Sequence, residues 1–431
     1  MTVKPFEKVW RWITKNYAEP EQSPEELAKV AYQVGNNALN GKDYKSATLF
    51  AQTAVKLQPD NSTYQIFAGF IAQNVGDYGL AEQFYQHGLA ILENKLGPDH
   101  PELAHCLNNL AAVYRSQRQY NKAESLYQRL LVNIEKNNPN HPSLGDCLTS
   151  IAHLLNDQGL YEKAEPYFLQ AFTIEEKTHG PDHPTTADCL NGLGALYYAQ
   201  GNFAKAAPIF QRALEIKERS LGHDHEKVAI VLDNLASVFD ELGLSAKAEP
   251  LYLRAQAIWE KTLDPDHPDL AISLNNLALF YQKQGQFDKA VKLYNRALGI
   301  CQNSLGPDHP NISIMINNIA EIYCLQAYYD AAEPLFLKAI FILEKNFGPN
   351  HLSISASLNN LAKLYKMQKR YDLAEPLYLR AVAILEKNGA DNPDLLIALN
   401  NLAGMYREQG KNGQVESIET KVKNYSTAQP Q

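Results

Sequence analysis

The sequence predicts an all-α fold, a right-handed superhelical solenoid of about ten helical hairpins, on three observations. A histidine recurs at His100, His141, His183, His225, His267, His309 and His351, one step of 41 residues and five of 42. Within each period, apolar residues fall at helical spacing twice over. Glycines and prolines stand between those stretches, where one helix must stop and the next begin. A period of a few tens of residues marks a solenoid because a lone hairpin cannot bury its own apolar stripe; stacking buries it.

Each long unit reads approximately L-G-P-D-H-P, then L-N-N-L-A-x-x-Y-x-x-Q-G, then Y-x-x-A-E-P-L-Y-x-R-A-x-x-I-x-E-K. In one unit Leu274, Leu277, Ala278 and Tyr281 fall at i, i+3, i+4, i+7, and Ala290, Leu293, Tyr294 and Ala297 repeat the pattern. That is one apolar stripe per helix. The Gly-Pro pair ends the second helix. The proline after the histidine suits the first turn of the next, where its missing N–H costs nothing. The prolines at 166, 208, 250, 334 and 376 are expected in the first turn of the second helix for the same reason.

In chain order, residues 1–27 come first. Phe6, Trp10, Ile13 and Tyr17 form a stripe ringed by Lys4, Lys8, Arg11 and Lys15. This is an amphipathic capping helix with its linker, or a segment that touches a membrane or a partner. Two units of 34-residue type follow, 28–61 and 62–95, with Tyr44 and Tyr78 34 apart. Longer units run 96–137, 138–178, 179–220, 221–262, 263–304, 305–346 and 347–388. The last, 389–423, ends in a polar helix (Glu416, Glu419, Lys421, Lys423) suited to a terminal cap. Residues 28–423 read as one domain and 424–431 as a disordered tail.

The repeat resembles the tetratricopeptide repeat. Its L-N-N-L-A core and L-G-P-D-H-P linker at 42-residue spacing are similar to the variant found in kinesin light chains and shared by bacterial families, and the resemblance covers 28–423. It implies that the first helices line a concave groove and that the second Asn of L-N-N-L-A points into it. The matching positions are Asn109, Ser150, Gly192, Asn234, Asn276, Asn318, Asn360 and Asn401. The resemblance also implies a non-enzymatic adaptor whose partner is another protein or peptide. Kinesin light chains carry a heptad coiled coil ahead of their repeats. Residues 1–27 hold no sustained heptads, so a motor subunit is not expected.

The chemistry of the ladder stands on its own. An Asn side chain offers two donors and an acceptor, the complement of a peptide backbone. Each such bond contributes only about 1 kcal/mol net, so several are needed. Ser150 and Gly192 interrupt the series, which puts the stronger half from residue 221 onward. Alternatively, the ladder Asn bonds the neighbouring repeat; the preceding Asn (Asn108, Asn191, Asn275, Asn317, Asn359, Asn400) is read that way. Unit 347–388, with six basic and three acidic residues, is the positive one. There Asn360, Lys363 and Lys366 stand at i, i+3, i+6, and Arg407 follows in the next unit. Together they form a candidate carboxylate pocket. Arg115 near Asn109 is a second.

Other classes are disfavoured. Forty Lys+Arg against 48 Asp+Glu gives −8, which argues against a helical-repeat nucleic-acid reader. No apolar run has membrane length. Five cysteines, an odd number, make no disulfide framework and suit free thiols in the cytoplasm. The linker histidines lie one per repeat, roughly 10 Å apart, and cannot share a metal. Cys106, Cys147 and Cys189 share one repeat position and read as core. His153 and Asp157 stand at i, i+4 without a nucleophile. No phosphate loop, nucleophile elbow or cofactor motif is present, so neither enzyme nor cofactor is expected. The competing reading is an assembly module acting through its outer face or ends, near Trp10 or Trp259. The polar C-terminal cap favours a monomer.

Overall fold

The computed structural model describes residues 23–41, 43–137, 143–387 and 393–427. The amphipathic segment at 1–22, His141 and residues 428–431 lie outside them. The described residues form 20 α-helices and no strand, and the helices pair as ten hairpins. These are α1 (Pro24–Asn40) with α2 (Tyr44–Leu57), α3 (Ser62–Asn74) with α4 (Tyr78–Leu96), α5 (Leu103–Ser116) with α6 (Tyr120–Asn137), α7 (Ser143–Asp157) with α8 (Tyr161–His179), and α9 (Pro184–Ala199) with α10 (Phe203–Leu221). The series continues with α11 (Glu226–Glu241) and α12 (Ser245–Thr262), α13 (Pro268–Lys283) and α14 (Phe287–Leu305), α15 (Pro310–Leu325) and α16 (Tyr329–Phe347), α17 (Ile354–Met367) and α18 (Tyr371–Lys387), and α19 (Pro393–Glu408) and α20 (Asn412–Thr427).

The chain divides into two compact units, residues 1–267 with α1–α12 and residues 268–431 with α13–α20. Within each, every helix packs on its hairpin partner, and each second helix packs on the first helix of the next hairpin. First helices also touch one another, as α5 touches α7 and α15 touches α17. That closer approach puts the first helices on the inner side of each unit. In unit 1, Tyr44 at the start of α2 meets His267 in the loop after α12, Oη to Nε2 at 3.4 Å. The first and sixth hairpins therefore come back into contact, which no periodicity foretells.

The core is a column of rings. Tyr85, Tyr127, Phe168, Phe210, Tyr252, Tyr294, Phe336 and Tyr378, one from each second helix from α4 to α18, are at most 3% exposed. Within each unit, a ring is wedged between its own first helix and the next. A Cβ at Gly69 or Gly194 would stand 2.9 or 2.8 Å from the Tyr85 or Phe210 ring of the same hairpin, and one at Gly192 would stand 2.5 Å from Phe168 of the preceding hairpin. The register of Gly69 and Gly194 is held elsewhere by Ala111, Ala152, Ala236, Ala278, Ala320, Ala362 and Ala403. The final Ala of L-N-N-L-A is thus the floor on which the ring lies.

The remaining motif letters find partners between repeats. The linker histidine caps the helix that follows. Nδ1 of His183, His225 and His309 accepts the backbone N–H two residues on, at 3.3, 3.1 and 3.2 Å. The linker aspartate meets the cation at the end of the next second helix, as in Lys136–Asp99 at 2.7 Å and Arg219–Asp182 at 3.1 Å. The Glu of A-E-P accepts from the tyrosine of the next first helix, as in Tyr365 to Glu333 and Tyr406 to Glu375, both 2.8 Å. At the start, Ser23 and Glu26 close a capping box, so α1 begins at Pro24 and not at 28.

Two boundaries differ from expectation. Pro166, Pro208, Pro250, Pro334 and Pro376 lie inside their helices, each the sixth helical residue, because the helix already begins at the aromatic or serine residue five positions earlier. The missing N–H therefore removes one bond to a carbonyl four residues back. The last helix runs through Thr427, past the expected start of the tail at 424. No helix among the described residues is long and apolar enough to cross a membrane.

Phe210→Ala should lower stability by about 3–5 kcal/mol, since the two flanking first helices cannot close the gap. The change is read as an earlier urea transition, with hydrogen exchange accelerated first in α9–α11.

Candidate functional site

The inner face is built from one stripe per first helix, at spacings i, i+4, i+7 and i+11. In unit 2 the stripes are Ile272, Asn276, Leu279, Lys283 on α13; Ile314, Asn318, Glu321, Leu325 on α15; Ala356, Asn360, Lys363, Met367 on α17; and Ile397, Asn401, Gly404, Glu408 on α19. Exposure identifies the stripe. Ile272, Ile314, Ile397 and Leu325 are each more than half exposed, yet large and apolar. The Asn ladder runs half-buried between them.

In unit 1 the same positions carry His105 and Asn109 on α5, Asp146 and Ser150 on α7, Asp188 and Gly192 on α9, and Ile230 and Asn234 on α11. These positions in unit 1 are mostly polar, where the stripes of unit 2 divide evenly between polar and non-polar residues.

The two asparagines of L-N-N-L-A turn out to be partners. The second Asn of one repeat donates to the first Asn of the repeat before. Asn234 Nδ2 reaches Asn191 Oδ1 at 2.9 Å, Asn318 reaches Asn275 at 3.2 Å, and Asn401 reaches Asn359 at 3.0 Å. Ser150 Oγ makes the same bond to Asn108 at 3.1 Å. Each bond uses one of the two amide hydrogens of the ladder Asn. Asn109 instead contacts His105 at 3.1 Å. Asn276 and Asn360 hold no hydrogen bond among the described residues. Gly192 interrupts the ladder because the Phe168 ring occupies the space a side chain would need.

The basic candidates do not converge. Lys366 crosses Gly404 to pair with Glu408 at 3.1 Å, and Arg407 pairs with Glu419 at 2.5 Å. Arg115 pairs with Asp157 at 3.3 Å. Lys363 alone of these stays on the inner face, exposed, beside a cavity shared with Asn360.

Periodicity also concealed a charged inlay in unit 1. One buried register of the second helices holds Leu92, Ile134, Cys301, Leu343 and Leu385, but Glu175, Lys217 and Trp259 fill it in three consecutive hairpins. Glu175 accepts from His179 at 3.0 Å, and the His179 ring stacks on His183. Lys217 bonds Asp188, which Lys227 also approaches at 3.5 Å. Trp259 Nε1 donates to buried Asp233 at 3.4 Å. Nearby Asp146 is held above the usual carboxylate range, by burial first and then by Glu175 and Asp188. Charged residues in an otherwise apolar register were the available signal.

The chemical candidates have structural roles. All five cysteines are free and buried, and burial pushes the thiols of Cys106, Cys147 and Cys189 up to about 12. His153 lies edge-on to the Phe168 ring, with centroids 5.0 Å apart, while its neighbour Asp157 is taken by Arg115. Among the described residues, no three His, Cys, Asp or Glu side chains are placed to hold a metal ion.

Burial, with a smaller push from Arg115, lowers the His153 imidazole to about 4, so it folds neutral. As pH falls from about 6.5, the unfolded chain takes up this proton first. The His153 contribution to stability therefore rises with pH between about 4 and about 6.5 and is flat on either side. An NMR titration should find the midpoint near 4, and His153→Leu should flatten the urea midpoint over that window. A midpoint near 6.5 would contradict the assignment.

The sequence profile of the tetratricopeptide repeat family matches residues 62–132, 144–219, 198–261, 241–300, 269–345, 311–387 and 353–422. Among curated proteins, the photosystem I assembly protein Ycf3 of Prochlorococcus marinus strain MIT 9301 is 30% identical over 97 residues, 21% of this chain and 53% of that protein. Its counterpart from strain SARG is 34% identical over 101 residues, 22% of this chain and 55% of that protein. The chain thus spans about half the length of the curated relatives it matches. Among solved structures, a Rap protein complexed with competence and sporulation factor aligns over 85% of this chain and 99% of its own, with 18% identity and a TM-score of 0.54. A Podosopora anserina putative kinesin light chain with nearly identical repeats aligns over 48% of this chain and 97% of its own, with 26% identity and a TM-score of 0.41.

Proposed function

The chain belongs to the tetratricopeptide repeat family, whose members serve protein–protein interaction and assembly, and from that premise we propose that it is a non-catalytic adaptor holding an extended segment of a partner protein against its inner face. The observation that carries this reading is the pairing of half-buried Asn side chains with exposed Ile272, Ile314 and Ile397 on three of the four first helices of unit 2. Large apolar side chains kept in water at one fixed place in a repeat serve contact with something else. The Asn residues supply what a bare apolar strip lacks, a partner for backbone amides and carbonyls that does not read sequence.

Asn234, Asn318 and Asn401 each retain one amide hydrogen beyond the bond that ties repeat to repeat. Asn276 and Asn360 retain both. Asn109 is the more peripheral member, since His105 engages it. Free, buried thiols and the acidic net charge suit a partner-binding role in the cytoplasm.

Asn276→Ala, Asn318→Ala and Asn360→Ala combined should abolish capture of native partners from lysate while leaving the thermal melting curve within a few degrees of wild type. Equal capture by both proteins would refute the groove and favour assembly through the outer face.

A further inference from the structure

An open cavity lies between α15, α16 and α17 on the inner face of unit 2. Buried Phe336 and Leu364 form its floor, exposed Leu325 and Met367 flank it, and Asn360 and Lys363 stand at its mouth. Its origin is a paired substitution. In the preceding hairpin, Tyr294 Oη donates to Gln282 Oε1 at 3.0 Å and the two side chains fill the same space. The equivalent residues one repeat later are Phe336 and Cys324. The hydroxyl and the amide are lost together, so the space is left open and walled by carbon and sulfur.

The charge at the mouth is also particular. Several basic side chains of this unit hold a carboxylate of the chain: Lys345 holds Asp308, Lys366 holds Glu408, Arg370 holds Glu333, Arg380 holds Glu344 and Lys411 holds Glu375. Lys363 holds none among the described residues. Glu321, which also lines the cavity, accepts from Gln282 of α13 at 3.1 Å. An unpaired ammonium, an unpaired amide and an apolar hole thus meet at one point.

We propose that unit 2 selects a short extended peptide segment in which a large apolar side chain and an acidic side chain stand two residues apart. The apolar side chain fills the cavity over Phe336, the carboxylate pairs with Lys363, and Asn360 bonds the backbone between them. Side chains two residues apart in an extended chain lie on one face, roughly 7 Å from each other, which fits two groups at one mouth. The proposal rests on the groove reading above and adds what the partner must look like.

The test is fluorescence anisotropy of the full chain with labelled, Gly/Ser-flanked peptides carrying Leu-Ser-Asp, Asp-Ser-Leu, Leu-Ser-Lys or Ala-Ser-Asp. At least one acidic, Leu-containing order should bind at least tenfold more tightly than Leu-Ser-Lys and Ala-Ser-Asp. Lys363→Glu, at an exposed position that leaves the fold alone, should reverse the preference between Asp and Lys. The double variant Cys324→Gln, Phe336→Tyr restores the pair found one repeat earlier and should remove the advantage of Leu over Ala. The proposal is overturned if neither acidic peptide binds, if Leu-Ser-Lys binds equally well, or if both variants bind as wild type does. The groove reading fails separately, on unchanged lysate capture by the triple Asn variant.

Discussion

The stacking within each unit depends on one contact, the ring in the middle of the second helices from α4 to α18 pressed against neighbouring first helices. Tyr85, Tyr127, Phe168, Phe210, Tyr252, Tyr294, Phe336 and Tyr378 are almost wholly out of water, although no hairpin could bury them alone. Each ring needs a small residue on its own first helix, met by Gly69, Gly194 and the alanines of the same register. It also needs the next hairpin as a lid. Stability is therefore a property of neighbours, and a gap in one repeat is felt in the next.

The same constraint creates the functional surface. The lid over each ring is the ladder position of the next first helix, so the ladder is half-buried by construction. Where the ring demands all the space, as Phe168 does, the ladder residue is glycine. Where it leaves room, an Asn fits, and Asn234, Asn318 and Asn401 tie themselves to the repeat before. The bond that stacks the array and the amide offered to a partner belong to the same side chain.

The two units put this geometry to different uses. Unit 1 surrounds its inner face with His105, Asp146 and Asp188 and runs a charged inlay from Glu175 to Trp259 behind them. These groups are largely satisfied by one another, as buried charges must be. Unit 2 leaves isoleucines exposed, Lys363 unpaired on the inner face and one ring cavity open. An inner face with unmet contacts is suited to receive a partner.

The repeat number, the hairpin architecture and the core register of Cys106, Cys147 and Cys189 were legible in the sequence, because each is a local rule applied at a fixed period. Asn109, Asn234, Asn276, Asn318, Asn360 and Asn401 were legible as a series too. What periodicity could not give is which partner each polar group takes. Lys366 and Arg407 look like equals of Lys363 on paper, yet carboxylates from neighbouring turns and helices claim them. The Asn–Asn pairs, the Tyr44–His267 contact and the cavity left by Phe336 and Cys324 likewise join residues far apart in the chain or compare one repeat with the next. Local spacing fixes which way a side chain leaves its helix. Only the packed neighbour decides whether it meets an ion, a ring or open space.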